Sequence, residues 1–230
     1  MLKTRSNRRA ITIFFSLFVL LSLFSTAVGA APAAAPAVPV TFTILHTNDF
    51  HGQLEASNTT ATKASNPGIA RLANVVNMIR TAKGAANVLL VDGGDEMQGS
   101  LLSNLGDGTA TGKGLPTIAA FNAMGYNAAT FGNHEFDWGQ VNLAARTTQA
   151  TYPFLTANIV QKDTADCATS GWLKPDFADA PYQVLTVGTA PDTIKVAFIG
   201  VTTTETPTIT VSTATAGLCF KDPAASILHY

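Results

Sequence analysis

Aspartate, histidine and asparagine residues occur at three places along this chain where together they could form one metal centre. The five side chains that carry the pattern are, in chain order, Asp49, His51, Asp95, Asn133 and His134. Oxygen and imidazole ligands without a thiolate favour divalent cations, and a pair of such ions can promote cleavage of a phosphate ester. The sequence therefore predicts a two-metal site of this kind.

The first two segments predict the ligands of one ion and a bridge to a second. Asp49 and His51 are separated by one residue, and alternate residues of an extended chain point to the same side, so both can reach one ion. Asp95 follows two glycines that allow a tight turn, and its two carboxylate oxygens can bridge two cations. The nearby acids are assigned supporting roles: Asp92 as a turn former, and Glu96 as a solvated acid or one that supports a ligand.

The third segment predicts a ligand and a proton donor. Asn133 offers a neutral carbonyl oxygen to the second ion. Asp137 follows His134 by three residues and lies on the same face if the loop runs into a helix, so it can orient the imidazole. We therefore expect His134 to act as an acid with Asp137, and we expect Asn133 and His134 to contact the phosphate.

These residues need elements that bring them together, and the patterning predicts an α/β layered fold. Short apolar runs alternate with helical patterns, and each chemical segment follows a predicted strand. Strands are predicted at 41–46, 88–91, 128–131, 154–159 and 194–201. Helices are predicted at 69–83 and 115–124, each ended by a glycine. Open α/β sheets place ligands where strands end, so the segments should meet at one edge.

The N-terminal residues predict export. Basic residues precede an apolar run from Ile11 to Phe24 that is short for a membrane span, and small residues end the segment at Ala30. We interpret 1–30 as a signal peptide, 31–40 as an Ala/Pro linker and 41–230 as one domain. The expected location is secreted, periplasmic or cell-surface, with no stable membrane anchor after signal cleavage.

The charge of the chain limits the classes of molecule that it could bind. The formal net charge is −1 and no basic stripe occurs, which argues against nucleic acid as a partner. Nothing in the sequence indicates an oligomeric state.

Cys167 and Cys219 are the two cysteines, and they could form a disulfide or remain two separate buried thiols.

The chain resembles the calcineurin-like metallophosphoesterases, and within them the group of 5'-nucleotidases and 2',3'-cyclic-nucleotide phosphodiesterases. The resemblance is carried by the segments Thr43–Gly52, Gly94–Ser100, Gly125–Asn127, Gly132–Gly139, Ala157–Asn158 and Phe198–Thr202. Gln98-Gly99-Ser100 is the discriminating part, because protein phosphatases of the superfamily typically carry Asp-Arg-Gly there.

This resemblance implies a fold, a cofactor and a reaction. The fold would be a layered core with helices flanking two packed mixed sheets. Two divalent ions would bind, with manganese, zinc, iron and cobalt all compatible. Asp49 and His51 would hold the first ion, Asp95 would bridge, Asn133 would hold the second, and His134 with Asp137 would form the acid dyad. The substrate would be a nucleotide, attacked at phosphorus by a metal-activated hydroxide.

The resemblance also implies residues that do not occur before Tyr230. The family takes three further histidines from a Gly-His and a Gly-His-x-His, and it holds the nucleoside with a C-terminal domain. We therefore expect the domain to be incomplete at its C-terminus and the chain to be the N-terminal part of a longer enzyme. The alternative is a catalytically inactive secreted fragment that binds metal or ligand weakly.

Overall fold

The computed structural model describes residues 39–57 and 66–230. The predicted signal peptide and all but the last two residues of the predicted linker lie outside this part. Within it, no helix is long and apolar enough to span a bilayer.

A four-stranded parallel sheet forms the centre of the described fold. Its strands are β1 (Thr43–Thr47), β2 (Val88–Asp92), β3 (Ala128–Thr130) and β4 (Phe154–Leu155), and their spatial order follows the chain order. Thr47 pairs with Asp92, so β1 and β2 end level with each other. Since all four strands run the same way, the loops that follow them lie at one edge of the sheet.

The other strands form two antiparallel pairs. One pair joins β5 (Ile159–Gln161) to β8 (Leu218–Phe220), and the other joins β6 (Tyr182–Thr189) to β7 (Asp192–Ile199) as a hairpin. Cys167 and Cys219 form a disulfide, with 5.4 Å between their Cα atoms. The bond connects the loop after β5 to β8 and decides between the two states that the sequence left open.

Helices connect and cover these strands. They are α1 (Gly68–Lys83), α2 (Leu101–Leu105), α3 (Leu115–Met124), α4 (Gly139–Gln149), α5 (Thr206–Ile209) and α6 (Pro223–His229), with short 3₁₀ turns at Ala85–Asn87, His134–Phe136 and Ser212–Thr215. Gly125 ends α3 in the left-handed conformation (φ 67°), which glycine adopts without a Cβ penalty. The Arg80 guanidinium of α1 donates to the carbonyls of Met124 and Gly125, which fixes α1 against this helix end.

Aromatic side chains fill the core beneath the loop edge of the sheet. Phe131, Phe136 and Phe154 are fully buried, and Phe131 has ring-centroid distances of 6.3 Å to Phe136 and 5.2 Å to Phe154. Phe131 and Phe136 flank the Gly-Asn-His segment, so packing of the core also fixes the loop that carries Asn133 and His134.

The predicted α/β class is confirmed, and the strands and helices that precede the chemical segments lie within two residues of their predicted bounds. The single strand predicted at 154–159 is instead two strands in different sheets, because the chain leaves the parallel sheet after Leu155 and pairs antiparallel from Ile159. The strand predicted at 194–201 is β7, shifted by two residues, whereas its hairpin partner β6 and helix α4 were not predicted.

Candidate metal centre

The loops after β1 and β2 are joined by a ladder of backbone hydrogen bonds. The N–H groups of Asp49, His51 and Gly52 donate to the carbonyls of Gly94, Asp95 and Glu96 at 3.0, 2.9 and 2.8 Å. This ladder extends beyond the sheet. It holds the Asp-x-His segment beside the Gly-Asp segment.

The loop after β3 approaches the loop after β2 at two glycines. A Cβ atom placed on Gly94 would lie 2.3 Å from the backbone nitrogen of Gly132, and one placed on Gly132 would lie 2.2 Å from Asp95 Oδ1. Neither position can accept a side chain without displacement of the other loop. The two glycines therefore allow Asp95 and the Gly-Asn-His segment to come together.

Three predicted ligands have an unusual backbone conformation. Asp49, His51 and Asp95 have φ values of 51°, 52° and 58°, and in the described part of the chain they are the non-glycine residues with positive φ. The extended conformation expected for the Asp-x-His segment is therefore wrong. Such conformations cost about 1–3 kcal/mol each and occur preferentially at functional sites, where surrounding contacts maintain them.

The structure brings His51, Asp95 and His134 together. One potential ligand atom from each lies within 4.8 Å of the others. The Nδ1 atom of His51 lies 2.7 Å from the carbonyl oxygen of Gln98. A carbonyl only accepts, so Nδ1 carries the proton and Nε2 keeps the lone pair that a metal needs.

Asp95 is held by the loop that carries His134. Its Oδ1 atom accepts a hydrogen bond from the backbone N–H of His134 at 2.8 Å. A carboxylate retains further lone pairs for cations after accepting one such bond. Imidazole nitrogen and carboxylate oxygen without a thiolate form a donor set that suits divalent cations, so the residues present fit the predicted cofactor.

Asp49 and Asn133 lie on the same loops as His51, Asp95 and His134, but they are not members of the group that these three residues form. Asp49 is exposed and lies outside the three-residue group, and its Oδ2 atom accepts a hydrogen bond from the Asn48 side chain at 2.5 Å. Asn133 is half-buried and begins the 3₁₀ turn, where its backbone carbonyl accepts from Phe136. Their backbone positions place both next to the group.

His134 and Asp137 form a direct pair. His134 Nδ1 lies 2.6 Å from Asp137 Oδ2. Partial burial lowers the pKa of His134, but the hydrogen bond and the negative charge of Asp137 outweigh it, so the net pKa is raised. His134 is therefore pushed towards the protonated form that an acid requires, while its Nε2 atom remains for a metal or a substrate.

A buried carboxylate fixes the second and third loops to each other. Glu135 is 1% exposed, and its two oxygens accept backbone hydrogen bonds from Asp95 (2.8 Å), Glu96 (2.8 Å) and Gly132 (2.7 Å). Burial raises the pKa of Glu135 to about 7, with a further contribution from the charge of Asp95 and an opposing one from the three N–H donors.

Asp92 and Glu96 are both buried below the loops. Asp92 accepts hydrogen bonds from Thr47 and from the backbone of Gly94, as expected of a turn former, and burial raises its pKa to about 8. Glu96 is fully buried, so a solvated acid is excluded. Its Oε2 atom lies 3.4 Å from the Tyr152 hydroxyl, its Oε1 atom has no hydrogen-bond partner, and burial raises its pKa.

Three residues that contribute to the site were not predicted from the sequence. Glu135 belongs to the Gly-Asn-His-Glu-Phe segment, but the sequence does not show that three backbone N–H groups donate to its carboxylate. Gln98 acts through a backbone carbonyl, which no side-chain pattern reveals. Thr210 contacts Asp137 from 73 residues further along the chain, in a threonine-rich segment that gave no clear prediction.

Comparison with known proteins agrees with this geometry. The model of the family described as calcineurin-like phosphoesterase matches residues 42–195. A 5'-nucleotidase from Bos taurus is 37% identical over 203 residues, which cover 85% of this chain and 31% of that protein. A snake venom 5'-nucleotidase from Gloydius brevicauda is 34% identical over 172 residues, covering 73% of this chain and 26% of that protein.

Solved structures give the same result for the fold. The 5'-nucleotidase precursor from Thermus thermophilus superposes with a TM-score of 0.60 at 32% identity, over 80% of this chain and 32% of that one. The chain thus spans under a third of the length of these relatives. The family match covers more than half of the chain, and the chain therefore belongs to the calcineurin-like phosphoesterase family.

Proposed function

We propose that this chain is part of a two-metal phosphoesterase that hydrolyses nucleotides, of the 5'-nucleotidase type. The observation that carries the proposal is the convergence of His51, Asp95 and His134 at the carboxyl edge of the parallel sheet, with ligand atoms within 4.8 Å of one another. The 5'-nucleotidases among the relatives support the choice of substrate.

The ligand set remains as the sequence suggests. His51 and Asp95 would hold one ion, joined by Asp49 once its carboxylate turns from Asn48, and Asn133 would hold a second ion with Asp95. Two divalent cations bound here would act as Lewis acids, lowering the pKa of a water nucleophile and neutralising phosphate charge.

Phosphate binding and proton donation would be carried out by side chains of the protein. Asn133, beside the group, and His134, within it, would bind the phosphate. His134 would donate a proton from Nε2 to the leaving oxygen of the nucleoside, while Asp137 holds Nδ1 and stabilises the protonated ring. The carbonyl of Gln98 keeps the His51 ring in one orientation.

Export is part of the proposal. Residues 1–30 have the composition of a signal peptide, and a secreted, periplasmic or cell-surface location fits the presence of a disulfide. Mass spectrometry of the N-terminal peptide of the natural protein tests this, because cleavage after Ala30 would leave Ala31 as the first residue.

The activity is tested directly with the purified natural protein, because this chain spans under a third of the length of its relatives. Release of phosphate is measured from a nucleoside 5'-monophosphate, and ring opening from a 2',3'-cyclic nucleotide, with Mn²⁺, Zn²⁺, Fe²⁺ or Co²⁺ added separately. We expect metal-dependent turnover that Asp95→Asn abolishes. Folded protein that turns over neither substrate with any of the four ions would instead support the inactive secreted fragment.

A further inference from the structure

The Thr210 hydroxyl extends the His134–Asp137 pair to a third side chain. Thr210 immediately follows α5 and is half-buried, and its Oγ1 atom donates a hydrogen bond to Asp137 Oδ1 at 2.7 Å. The other carboxylate oxygen, Oδ2, is 2.6 Å from His134 Nδ1. Each oxygen of Asp137 therefore has its own partner, and the plane of the carboxylate is set from both sides.

The segment that carries Thr210 is fixed on either side of this contact. Thr206 is fully buried and its hydroxyl donates to the carbonyl of Thr203 at 2.8 Å. On the other side, the Gln140 side chain donates to the carbonyls of Ala214 (3.0 Å) and Ala216 (2.9 Å). Gln140 follows Asp137 by three residues, so the same stretch of chain that carries the acid pair also holds the threonine segment in place.

We propose that Thr210 is a positioning residue that orients Asp137 and, through it, the imidazole of His134. The inference rests on the proposed function, because it is the protonation of the leaving group that needs a correctly oriented ring. Without the hydroxyl, Asp137 Oδ1 loses a donor and the carboxylate can rotate away from Nδ1, which leaves the ring free to change tautomer and orientation.

Three variants separate this role from a general effect on folding. Thr210→Val keeps the shape and removes the hydroxyl, and Thr210→Ser keeps the hydroxyl and removes a methyl group. Thr208→Val is the matched control, because Thr208 is exposed, belongs to α5, and donates only to the carbonyl of Glu205.

The first readout compares two leaving groups in the metal-loaded full chain. A nucleoside leaves as an alkoxide that needs a proton, whereas the phenolate of 4-nitrophenyl phosphate leaves without one. For Thr210→Val we expect kcat on a nucleoside 5'-monophosphate to fall about tenfold, a part of the 10²–10⁴ that general acid catalysis contributes. We expect KM, metal content and kcat on the aryl ester to stay unchanged, and Thr210→Ser and Thr208→Val to match the parent chain.

The second readout does not depend on activity. Long-range ¹H–¹⁵N spectra at one fixed pH report which nitrogen of each imidazole carries a proton, in the full chain with and without Zn²⁺. We expect Thr210→Val to reduce the Nδ1-protonated fraction of His134, with Thr210→Ser restoring it. His46 and His229 serve as internal references.

The outcomes decide between the possibilities. An unchanged His134 spectrum in Thr210→Val overturns the inference, and so does an equal loss of kcat on both substrates, which indicates disturbed folding of the site. A changed spectrum with no change in the ratio of the two kcat values also overturns it. If the natural protein hydrolyses neither substrate, the proposed function fails, and the spectra alone decide whether Thr210 orients the ring.

Discussion

The side chain of Glu135 accepts a hydrogen bond from the backbone N–H of Asp95 at 2.8 Å. A fully buried carboxylate on the third loop thereby fixes the loop that carries the proposed bridging ligand. The same carboxylate also accepts from Glu96 and Gly132, so one side chain sets the spacing of the two loops.

Glu135→Gln should weaken metal binding without removing any ligand. A glutamine amide presents one acceptor oxygen and one NH₂ donor, and the donor would face a backbone N–H. We expect the dissociation constant for Zn²⁺ or Mn²⁺ to rise about 10- to 100-fold, as for other groups that support metal ligands. Isothermal titration calorimetry measures it. Glu55→Gln, at an exposed residue, is the control, and equal affinities in the two variants would contradict the role.

Asp95→Asn should remove both ions. The asparagine retains one carbonyl oxygen but loses the charge and the second bridging oxygen, so neither proposed metal position keeps its shared ligand. Elemental analysis of the purified variant measures metal content. Asp192→Asn, at an exposed aspartate in the β6–β7 hairpin, should bind as the parent does. Two ions retained per chain in Asp95→Asn would refute the bridge.

His134→Ala tests whether the imidazole is an acid or a ligand, since its position in the three-residue group allows both. As an acid, its loss should lower kcat on a nucleoside 5'-monophosphate by about 10²–10⁴ while metal content stays unchanged. His46→Ala is the control, at an exposed histidine in β1. Loss of metal from His134→Ala would reassign the residue as a ligand.

Glu96 should make the metal-free chain less stable as pH rises. Burial raises its pKa above the ordinary value of 4.5, so the folded chain keeps a proton that the unfolded chain loses above that pH. This contribution to the free energy of unfolding is therefore present at low pH and decreases above pH 4.5, by at most about 1.4 kcal/mol per pH unit. Urea unfolding at pH 5 and pH 8, with Glu96→Gln beside the parent, measures it. A Glu96→Gln variant with the same pH dependence as the parent would show that other groups cause the decline.

Reduction of the Cys167–Cys219 disulfide should destabilise the chain. The bond closes a segment of 52 residues, and loops of that size correspond to about 3–4.7 kcal/mol in the chain-entropy description. Unfolding by urea with and without a reductant, compared with a Cys167→Ser/Cys219→Ser double variant, measures the difference. Equal stability of oxidised and reduced chains would show that the native contacts alone hold β5 and β8 together.

The helices and strands that position the site were predicted from the sequence more accurately than the backbone conformation of the site itself. Periodicity and terminal glycines placed α3 at its observed bounds, and apolar runs placed the strands that precede each chemical segment. The positive φ of Asp49, His51 and Asp95 could not be predicted, because it is maintained by contacts between loops far apart in sequence.

Long-range contacts also explain why the burial of Glu96 and the contact between Thr210 and Asp137 were not predicted. Nothing near Glu96 in sequence indicates full burial, since its neighbours Asp95 and Met97 suggest neither a helix face nor a strand. Thr210 contacts Asp137 from 73 residues further along the chain, and Gln140 holds the turn that follows Thr210. Local patterns carry no information about such pairings.

The four parallel strands lie in the sheet in the same order as along the chain, which has a consequence for biosynthesis. Each of β2, β3 and β4 can join the edge of a sheet already made, so the loops of the centre arrive one at a time as the ribosome extends the chain. The Asp-x-His pair is presented first, the proposed bridging carboxylate second, and the proposed acid histidine third. Thr210 emerges after all three, so its contact with Asp137 can form only once the loops of the proposed metal centre have been made.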